Sequence, residues 1–525
     1  MGINIKQYFS KLGKKATNEV SEKKWIPNIY ENDSKKAEAE RYFMKERGYF
    51  KYEEAKLMDD QRYFMNAEDK MAVLNMDKIE NTTGTIIGVD IETGLVCTPK
   101  DNLRLNGHKC ITGGHGVGSE TYVLGELLQT IKRNESFITT DNNMVLYELS
   151  ANIAKKEGYE IVVLNLINLD STAAYDYLGN LRSKTGDQEE EIRRATDLAE
   201  IIINNISLEV SDYSAICQAK LLTAAILFCM YDDTGITKPI LADAFDLIIK
   251  NDKSALDNIF NALGDEHPAK DPYQKYSNAE YRSSIISELI SRLYVYQTDN
   301  LKRIISENEI DLTLPGRKKC AYYIIMSNET NSYDFIANMF LSTFFTKIKE
   351  YADAQINRRC AIPVNLFIDE LHKIKKIPDF GKTLAIIRSR NVFINIVLRN
   401  YAEMQKMYSA TEWESIMACC DINIYLGSND ESTIAYFSKR IGKKPKPVKD
   451  RGCQSAVSET KIQTEPVSLR MWLDDMTQNV MTEEELSHFP QENSIVFMKL
   501  CYPLIVKKCF GNNHPLYERT NLFFR

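Results

Sequence analysis

The chain has 525 residues, 44% of them hydrophobic and 26% charged, and a formal net charge of −7. This length exceeds what one hydrophobic core supports, so it predicts two domains plus an arm. The composition is that of a globular protein, and no apolar run approaches the ~18 residues that a membrane span needs. The negative charge argues against a protein that coats nucleic acid over its whole surface, although it is compatible with a localised DNA-facing surface.

The eleven cysteines occur singly or as the pair Cys419-Cys420, without Cys-x-x-Cys spacing. This pattern indicates reduced thiols, which are typical of the cytosol. The N-terminus has no apolar segment of the kind found in signal peptides. We therefore expect a cytoplasmic protein, with peripheral attachment at the inner face of the plasma membrane as the alternative.

Residues 1–82 are polar and rich in Lys and Glu. A helix cap at Asn32-Asp33-Ser34 and the pattern after it predict helices over residues 34–74, broken near Gly48. Too few of these residues are apolar to form a core. We predict an N-terminal helical arm that packs on its own domain or on a partner.

Residues 83–184 alternate between strand and helix patterns. The predicted elements are, in order, a strand–turn–strand at 85–98, a strand at 109–111, a helix from Tyr122, a strand at 136–141, a helix at 145–156 and a strand at 160–167. The last of these strands is apolar throughout, as strands buried in a parallel sheet are. The alternation predicts a doubly wound α/β domain.

Residues 185–308 show only helical patterns, so we predict an all-α domain inserted into the α/β domain. Strand patterns resume over residues 309–525. The elements predicted there are strands at 319–326, 364–368, 392–398 and 422–427, a helix at 333–351, an exposed basic loop at 443–451, and a sheet-edge hairpin made of the apolar runs 494–500 and 504–509.

The stretch from Gly113 to Thr121 has the setting of a phosphate-binding P-loop, because it joins a strand to a helix through a glycine-rich turn. The glycine spacing is that of the motif, but the charged chemistry differs. Ser119 stands where the lysine is expected, and Glu120 stands where the magnesium-binding Ser or Thr is expected. The candidate nucleotide-binding residues of this stretch are Gly113, Gly114, Gly116, Gly118, Ser119, Glu120 and Thr121.

The apolar run Val364–Ile368 ends on two acids, Asp369 and Glu370. In a parallel sheet such a strand places Asp369 beside the P-loop, where it can hold Mg²⁺ through water, while Glu370 can polarise the attacking water. Acids at strand ends are common, so the pattern gains weight only from its pairing with the P-loop stretch.

With these motifs the sequence resembles the type IV secretion coupling proteins, which are conjugative DNA-transfer ATPases related to hexameric DNA translocases. The resemblance runs from about residue 84 to the C-terminus. The blocks that carry it are 158–166, 309–312, 368–371, 377–380, 386–390 and 420–427. It implies a RecA-like P-loop NTPase domain with an inserted all-α domain, so that residues 83–184 and 309–525 are its two parts.

The resemblance also implies ATP and Mg²⁺ as cofactors. It implies DNA or relaxosome proteins as substrates, type IV secretion membrane components as partners, and assembly into a homo- or hetero-hexamer. An arginine of the 386–390 block reaches a neighbouring subunit's nucleotide in the family, which makes Arg388 and Arg390 candidate subunit-interface residues. Solvated arginines on a helix face are the alternative.

Four departures from the family are visible. The family usually begins with two membrane-spanning helices, for which this sequence has no pattern. Its phosphate-binding Lys and Ser/Thr are replaced by Ser119 and Glu120. After the next strand the family has Asp-Pro-Lys-Gly-Glu, whereas here Asp141 is followed by Asn142. Where the family has a Gln that senses the γ-phosphate, this chain has Arg399.

The exchanges at 119 and 120 remove one positive charge and add one negative charge facing a polyphosphate. At ~4 Å and an effective dielectric constant of ~20, each unit charge is worth about 4 kcal/mol. Uncompensated, the two exchanges would weaken nucleotide binding by roughly five orders of magnitude. The degenerate Walker A motif therefore argues against normal Mg²⁺-ATP binding, although backbone N–H groups alone could still hold phosphate.

Arg399 supports two hypotheses. It can pair with the carboxylate of Glu120 or Glu370 and occupy the place of a phosphate. It can instead restore the positive charge lost at Ser119 and so preserve nucleotide binding.

The sequence therefore predicts a coupling-protein-like component of conjugative DNA transfer that binds DNA or relaxase, with impaired ATP binding and hydrolysis. One alternative is an active ATP-driven DNA translocase with an altered P-loop, in which Asp369, Glu370 and Arg399 are catalytic. The other is an interaction scaffold that no longer has a role in DNA transfer.

Overall fold

The computed structural model describes residues 63–517, except residues 143, 184, 207–211, 232–237, 330–332 and 446–476. Most of the predicted N-terminal arm lies outside the described residues. So does the greater part of the predicted basic loop.

Strands and helices alternate on both sides of a long helical insertion. The strands are β1 Leu74–Asp77, β2 Gly88–Val89, β3 Val96–Pro99, β4 Lys109–Gly113, β5 Ser136–Asn142, β6 Glu160–Asn165, β7 Cys320–Met326, β8 Val364–Ile368, β9 Val392–Leu398, β10 Ile422–Gly427, β11 Lys443–Pro445, β12 Thr477–Asn479, β13 Asn493–Met498 and β14 Leu504–Lys507.

The helices are α1 Ala67–Val73, α2 Ser119–Lys132, α3 Val145–Lys156, α4 Gln188–Ile206, α5 Asp212–Tyr231, α6 Leu241–Ile249, α7 Lys253–Asn261, α8 Lys270–Ser277, α9 Arg282–Leu293, α10 Asp299–Ile304, α11 Asp334–Asp353, α12 Leu371–Ile374, α13 Phe380–Ile387, α14 Tyr401–Met407, α15 Ala410–Ala418, α16 Glu431–Ile441 and α17 Glu483–Ser487. These bounds agree closely with the predicted strands and helices of the α/β part.

One mixed sheet organises the α/β part, in the order β1-β3-β2-β14-β13-β10-β4-β9-β8-β5-β7-β6. From β10 to β6 every neighbouring pair is parallel, whereas the pairs from β10 to β1 are antiparallel. Because β9 lies between β4 and β8, the carboxyl ends of these three strands meet at one edge. This order positions the candidate site.

The sheet is buried on both faces, as the apolar strand sequences predict. Along β7, Tyr322 and Ile324 belong to a core that continues into the helical insertion, while Tyr323 and Ile325 belong to the core beneath α2 and α3. This alternation is the two-residue period of a strand with apolar residues on both sides.

The helical insertion consists of α4 to α10, and none of its described residues forms a strand. Its central helix, α5, is long and apolar enough to cross a membrane by length and composition, contrary to our expectation that no run approaches this length. Most of its apolar stretch is buried, and it packs against α4, α8 and α6. Its apolar composition is therefore explained by its place in the core of the all-α domain.

Two local predictions were wrong. Leu74–Asp77, predicted as part of the helical arm, is a strand paired antiparallel with Val96–Pro99. The C-terminal hairpin β13–β14 lies inside the sheet, because β13 pairs with β10 and β14 pairs with β2. The described start of the basic loop is β11, which forms a separate two-stranded sheet with β12.

A buried ion pair joins the P-loop strand to the helix that follows it. Lys109 of β4 contacts the carboxylate of Glu126 in α2, and each residue is only 3% exposed. The other oxygen of Glu126 accepts a hydrogen bond of 2.7 Å from the backbone N–H of Ile86. The pair therefore fixes the angle at which α2 leaves the loop.

We predict that Lys109→Met lowers stability by about 3–5 kcal/mol, because it leaves the Glu126 carboxylate buried without its cation. The double variant Lys109→Met/Glu126→Gln should recover part of this loss, since Gln still accepts from Ile86 without carrying a charge. Thermal denaturation of both variants measures the difference. A double variant that melts below Lys109→Met would show that the charge of Glu126 is not the cause.

Candidate functional site

The P-loop stretch leaves β4 at Gly113 and enters α2 at Ser119. The backbone N–H of Gly114 donates to the carbonyl oxygen of Gly427 at 2.9 Å, which ties the loop to the end of β10. Gly118 caps the helix with φ 88°, and a Cβ there would lie 2.5 Å from the ring of Phe510. The turn therefore requires glycine at this position, and its P-loop shape is present.

The first turn of α2 has no side chain arranged to hold phosphate or Mg²⁺ in the usual way. Ser119 is its first residue, and the side chain of Glu120 is exposed. The hydroxyl of Thr121 donates to the carbonyl oxygen of Gly118 at 2.9 Å. The Thr121 hydroxyl, next to the expected magnesium position, is thus bonded to the backbone of the loop.

Glu370 lies buried directly after β8, with 4% of its surface exposed. The guanidinium of Arg399 contacts its Oε1, and the Nζ of Lys373 lies 2.7 Å from its Oε2. The predicted pairing of Arg399 with one of two carboxylates is confirmed, and the partner is Glu370. Both oxygens of this carboxylate therefore face a cation.

Arg399 also reaches the P-loop. Its Nη1 donates to the Nε2 of His115, at 3.1 Å. Because position 399 directly follows β9, which lies between the loop strand β4 and the Glu370 strand β8, one guanidinium spans the two motifs.

Asp369 is 6% exposed and lies among other acids. Burial raises the pKa of Asp369 to about 7; the nearby Glu120 carboxylate adds to this increase, while Asn142 and Arg399 oppose it. The Nδ2 of Asn142 donates to the Oδ2 of Asp369 at 3.3 Å. Near neutral pH a large fraction of this carboxyl is therefore protonated, which weakens it as a ligand for a cation.

Asp141 is used by the helix that follows it. Its two carboxylate oxygens accept hydrogen bonds from the backbone N–H groups of Leu146 and Tyr147, at 3.0 and 2.7 Å, in the first turn of α3. Burial raises the pKa of Asp141 to about 6, and these hydrogen bonds oppose the increase. Its side chain is thus engaged in helix capping.

The two interface candidates differ in their surroundings. Arg390 pairs with Asp353 at 2.9 Å, so its guanidinium is engaged within this chain. Arg388 is exposed, and it has no ion-pair partner within the part of the chain that the structure describes. His108 is buried: its Nδ1 accepts from the backbone N–H of Ile394, so its Nε2 donates to a backbone carbonyl oxygen.

Sequence reasoning missed several residues of the site. Lys373 could have been found, because it stands three residues after Glu370 and helical spacing places such residues together. The contact of His115 with Arg399 gave no signal, because the two residues are 284 positions apart in sequence. Gln491 and Lys508, whose side chains contact the loop, gave no signal because they are more than 370 residues away in sequence.

We predict that Asp369→Asn stabilises the protein more at pH 8 than at pH 5. The pKa of Asp369 is raised above its unfolded value, so with rising pH the carboxyl ionises in the unfolded chain before it ionises in the folded protein. The folded protein therefore loses stability as the pH rises, up to about pH 7. The gain from Asn should grow by on the order of 2 kcal/mol between the two pH values. Thermal denaturation at both values measures it, with the exposed Glu266→Gln as the control. Equal gains at both pH values would contradict the prediction.

Fold and site together define the class of protein: a RecA-like P-loop NTPase fold with an inserted all-α domain. Residues 68–513 match the family described as Type IV secretory system Conjugative DNA transfer. The chain belongs to this family of conjugative coupling proteins, as the sequence resemblance indicated. No curated protein matches the chain by sequence.

Solved structures of conjugation proteins share the fold. TrwBdeltaN70, a bacterial conjugative coupling protein in complex with sulphate, has a TM-score of 0.58 at 12% identity, covering 87% of this chain and 98% of that chain. TrwB in complex with ADP and Mg²⁺ gives 0.55 at 13% identity, covering 85% and 96%. VirB4 of Thermoanaerobacter pseudethanolicus gives 0.51 at 12% identity, covering 82% and 98%. At these identities the likeness shows the fold alone.

Proposed function

We propose that this protein is a component of conjugative DNA transfer that binds DNA or a relaxase substrate and has impaired ATP binding and hydrolysis. It would work with type IV secretion membrane components and with other coupling-protein subunits. Family membership supports a role in conjugative DNA transfer. The altered site supports the loss of nucleotide chemistry.

The observation that carries this proposal is the double pairing of Glu370. A carboxylate that polarises water needs a free oxygen within hydrogen-bond reach of that water. Here the guanidinium of Arg399 contacts Oε1 of Glu370, while the Nζ of Lys373 lies 2.7 Å from Oε2, which is buried and makes no hydrogen bond in the described structure. These two cations occupy the space around the carboxylate. Glu370 is therefore poorly suited to activate water.

The binding half of the site is altered as well. TrwB has been obtained with ADP and Mg²⁺ and with a non-hydrolysable ATP analogue. In this chain the expected lysine is Ser119, and the residue expected to bind the metal is Glu120. The carboxyl of Asp369, the remaining candidate metal ligand, has a raised pKa. These residues do not fit a magnesium–nucleotide complex, and we derive no step through one.

One observation favours the alternative of an active ATP-driven translocase. The loop keeps its P-loop shape, and Arg399 already lies against His115 within it. If the guanidinium left Glu370 when nucleotide arrived, it could contact phosphate in place of the missing lysine. Nucleotide binding by the unmodified chain separates the two functions.

We predict that the unmodified chain does not bind Mg²⁺-ATP at micromolar concentrations. Ser119→Lys/Glu120→Thr should bind it at least about 100-fold more tightly, because it restores one positive charge and removes one negative charge. Isothermal titration calorimetry on the full chain measures both affinities. Arg359→Gln, which removes an exposed arginine away from the loop, is the control and should match the unmodified chain. Micromolar binding by the unmodified chain would support the active translocase instead.

Hydrolysis tests Glu370 separately. In the Ser119→Lys/Glu120→Thr background, Arg399→Gln should raise DNA-stimulated ATP hydrolysis at least about 10-fold, because it frees one oxygen of Glu370. Phosphate release at saturating ATP measures the rate. If Arg399→Gln abolishes hydrolysis in this background, the guanidinium assists catalysis and the blocking role is wrong.

Binding of DNA is the test of the transfer function. The full chain should bind double-stranded DNA with an affinity that falls as salt rises, because phosphate contacts release counterions. Fluorescence anisotropy at several salt concentrations measures the slope. Absence of salt-dependent binding to DNA, together with no binding of relaxase, would favour a scaffold outside DNA transfer.

The exposed Arg388 is our proposed contact to a neighbouring subunit.

A further inference from the structure

The outer surface of the P-loop is held by two side chains from the C-terminal part of the chain. The Nε2 of Gln491 donates to the carbonyl oxygen of Gly116, and the Nζ of Lys508 donates to that of Val117, each at 3.0 Å. Lys508 is only 5% exposed, so its charged hydrogen bond is shielded from water. In a P-loop the N–H groups converge on the phosphate, so carbonyl oxygens face outward. The two donors thus hold the loop from outside.

Lys508 begins a segment that lies along α2, residues 508–514, which we name the C-terminal strap. The ring of Phe510 lies against Gly118. A Cβ on Gly511 would come 2.9 Å from the backbone nitrogen of Gly125 in α2, so the two backbones are closely packed. Further along, the Nε2 of His514 donates to the Oε1 of Gln129 at 3.0 Å. The strap therefore contacts the loop and three turns of the helix after it.

We propose that Lys508 and Gln491 are positioning residues that hold the P-loop in its phosphate-binding shape. Glycine-rich loops have a large conformational entropy, so an ordered one needs stabilising contacts. A bound phosphate normally supplies them from inside the loop. In this chain Lys508 and Gln491 supply the stabilising contacts from outside the loop. The contact of Lys508 is the stronger of the two, because hydrogen bonds to a charged group are stronger than neutral ones. This inference concerns the empty loop and does not depend on the loss of nucleotide binding.

Hydrogen–deuterium exchange on the nucleotide-free full chain tests the proposal. Lys508→Met should raise the exchange rate of the Gly114 amide, which donates to the carbonyl oxygen of Gly427, at least about 10-fold, since local opening controls exchange. Lys508→Arg, which keeps a charged donor, should stay within about 3-fold of the unmodified chain. Lys507→Met is the matched control, because Lys507 is the exposed lysine next to Lys508 and makes no contact with the loop in the described structure.

Amides of α11, remote from the loop, report global stability and should exchange at unchanged rates in every variant. Unchanged exchange of the Gly114 amide in Lys508→Met would overturn the proposal, and so would an equal rise in α11. If Lys508→Met fails to fold, Gln491→Leu replaces it, since Gln491 is an exposed residue. That variant should raise loop exchange about 3-fold, and no rise would overturn the proposal. The exchange experiment does not depend on nucleotide affinity, so its outcome is independent of the proposed function.

Discussion

A buried carboxylate needs partners, and this requirement organises the candidate site. Removing Glu370 from water costs several kcal/mol unless cations and hydrogen bonds compensate. Arg399 and Lys373 meet that cost, one at each oxygen. The positive charge of Arg399, which a nucleotide would need, is therefore already paired within the chain. The proposed loss of nucleotide chemistry and the retention of the fold would thus be two consequences of one set of contacts.

The strand order makes this arrangement possible. Since β9 separates the loop strand from the Glu370 strand, the residue after β9 lies within reach of both motifs. A Gln there suits a site that senses phosphate, whereas an Arg brings a positive charge that can pair with a buried carboxylate. Position 399 is far in sequence from 119 and 120, yet the strand order brings all three to the same edge of the sheet. Glu120 acts on the same group of acids, because it raises the pKa of both Asp369 and Asp141.

The wrong predictions have a common cause. A strand at a sheet edge and an antiparallel strand inside the sheet have the same two-residue period. The hairpin β13–β14 was therefore recognisable as a hairpin, but its position between β10 and β2 depended on pairing with residues far away in sequence. The four residues of β1 were too few to show a period, and their pairing with β3 outweighed the helical pattern before them.

The sequence by itself determined the α/β class, the inserted helical domain, the strand and helix positions and the altered loop, because periodicity and glycine spacing are local properties. It also indicated that Arg399 would meet a carboxylate, since strand ends share one edge of a parallel sheet. Only the tertiary structure decided that this carboxylate is Glu370 rather than Glu120, that Asp141 caps a helix, and that Lys508 holds the loop. Those contacts join residues distant in sequence, and only the packed chain brings them within hydrogen-bond distance.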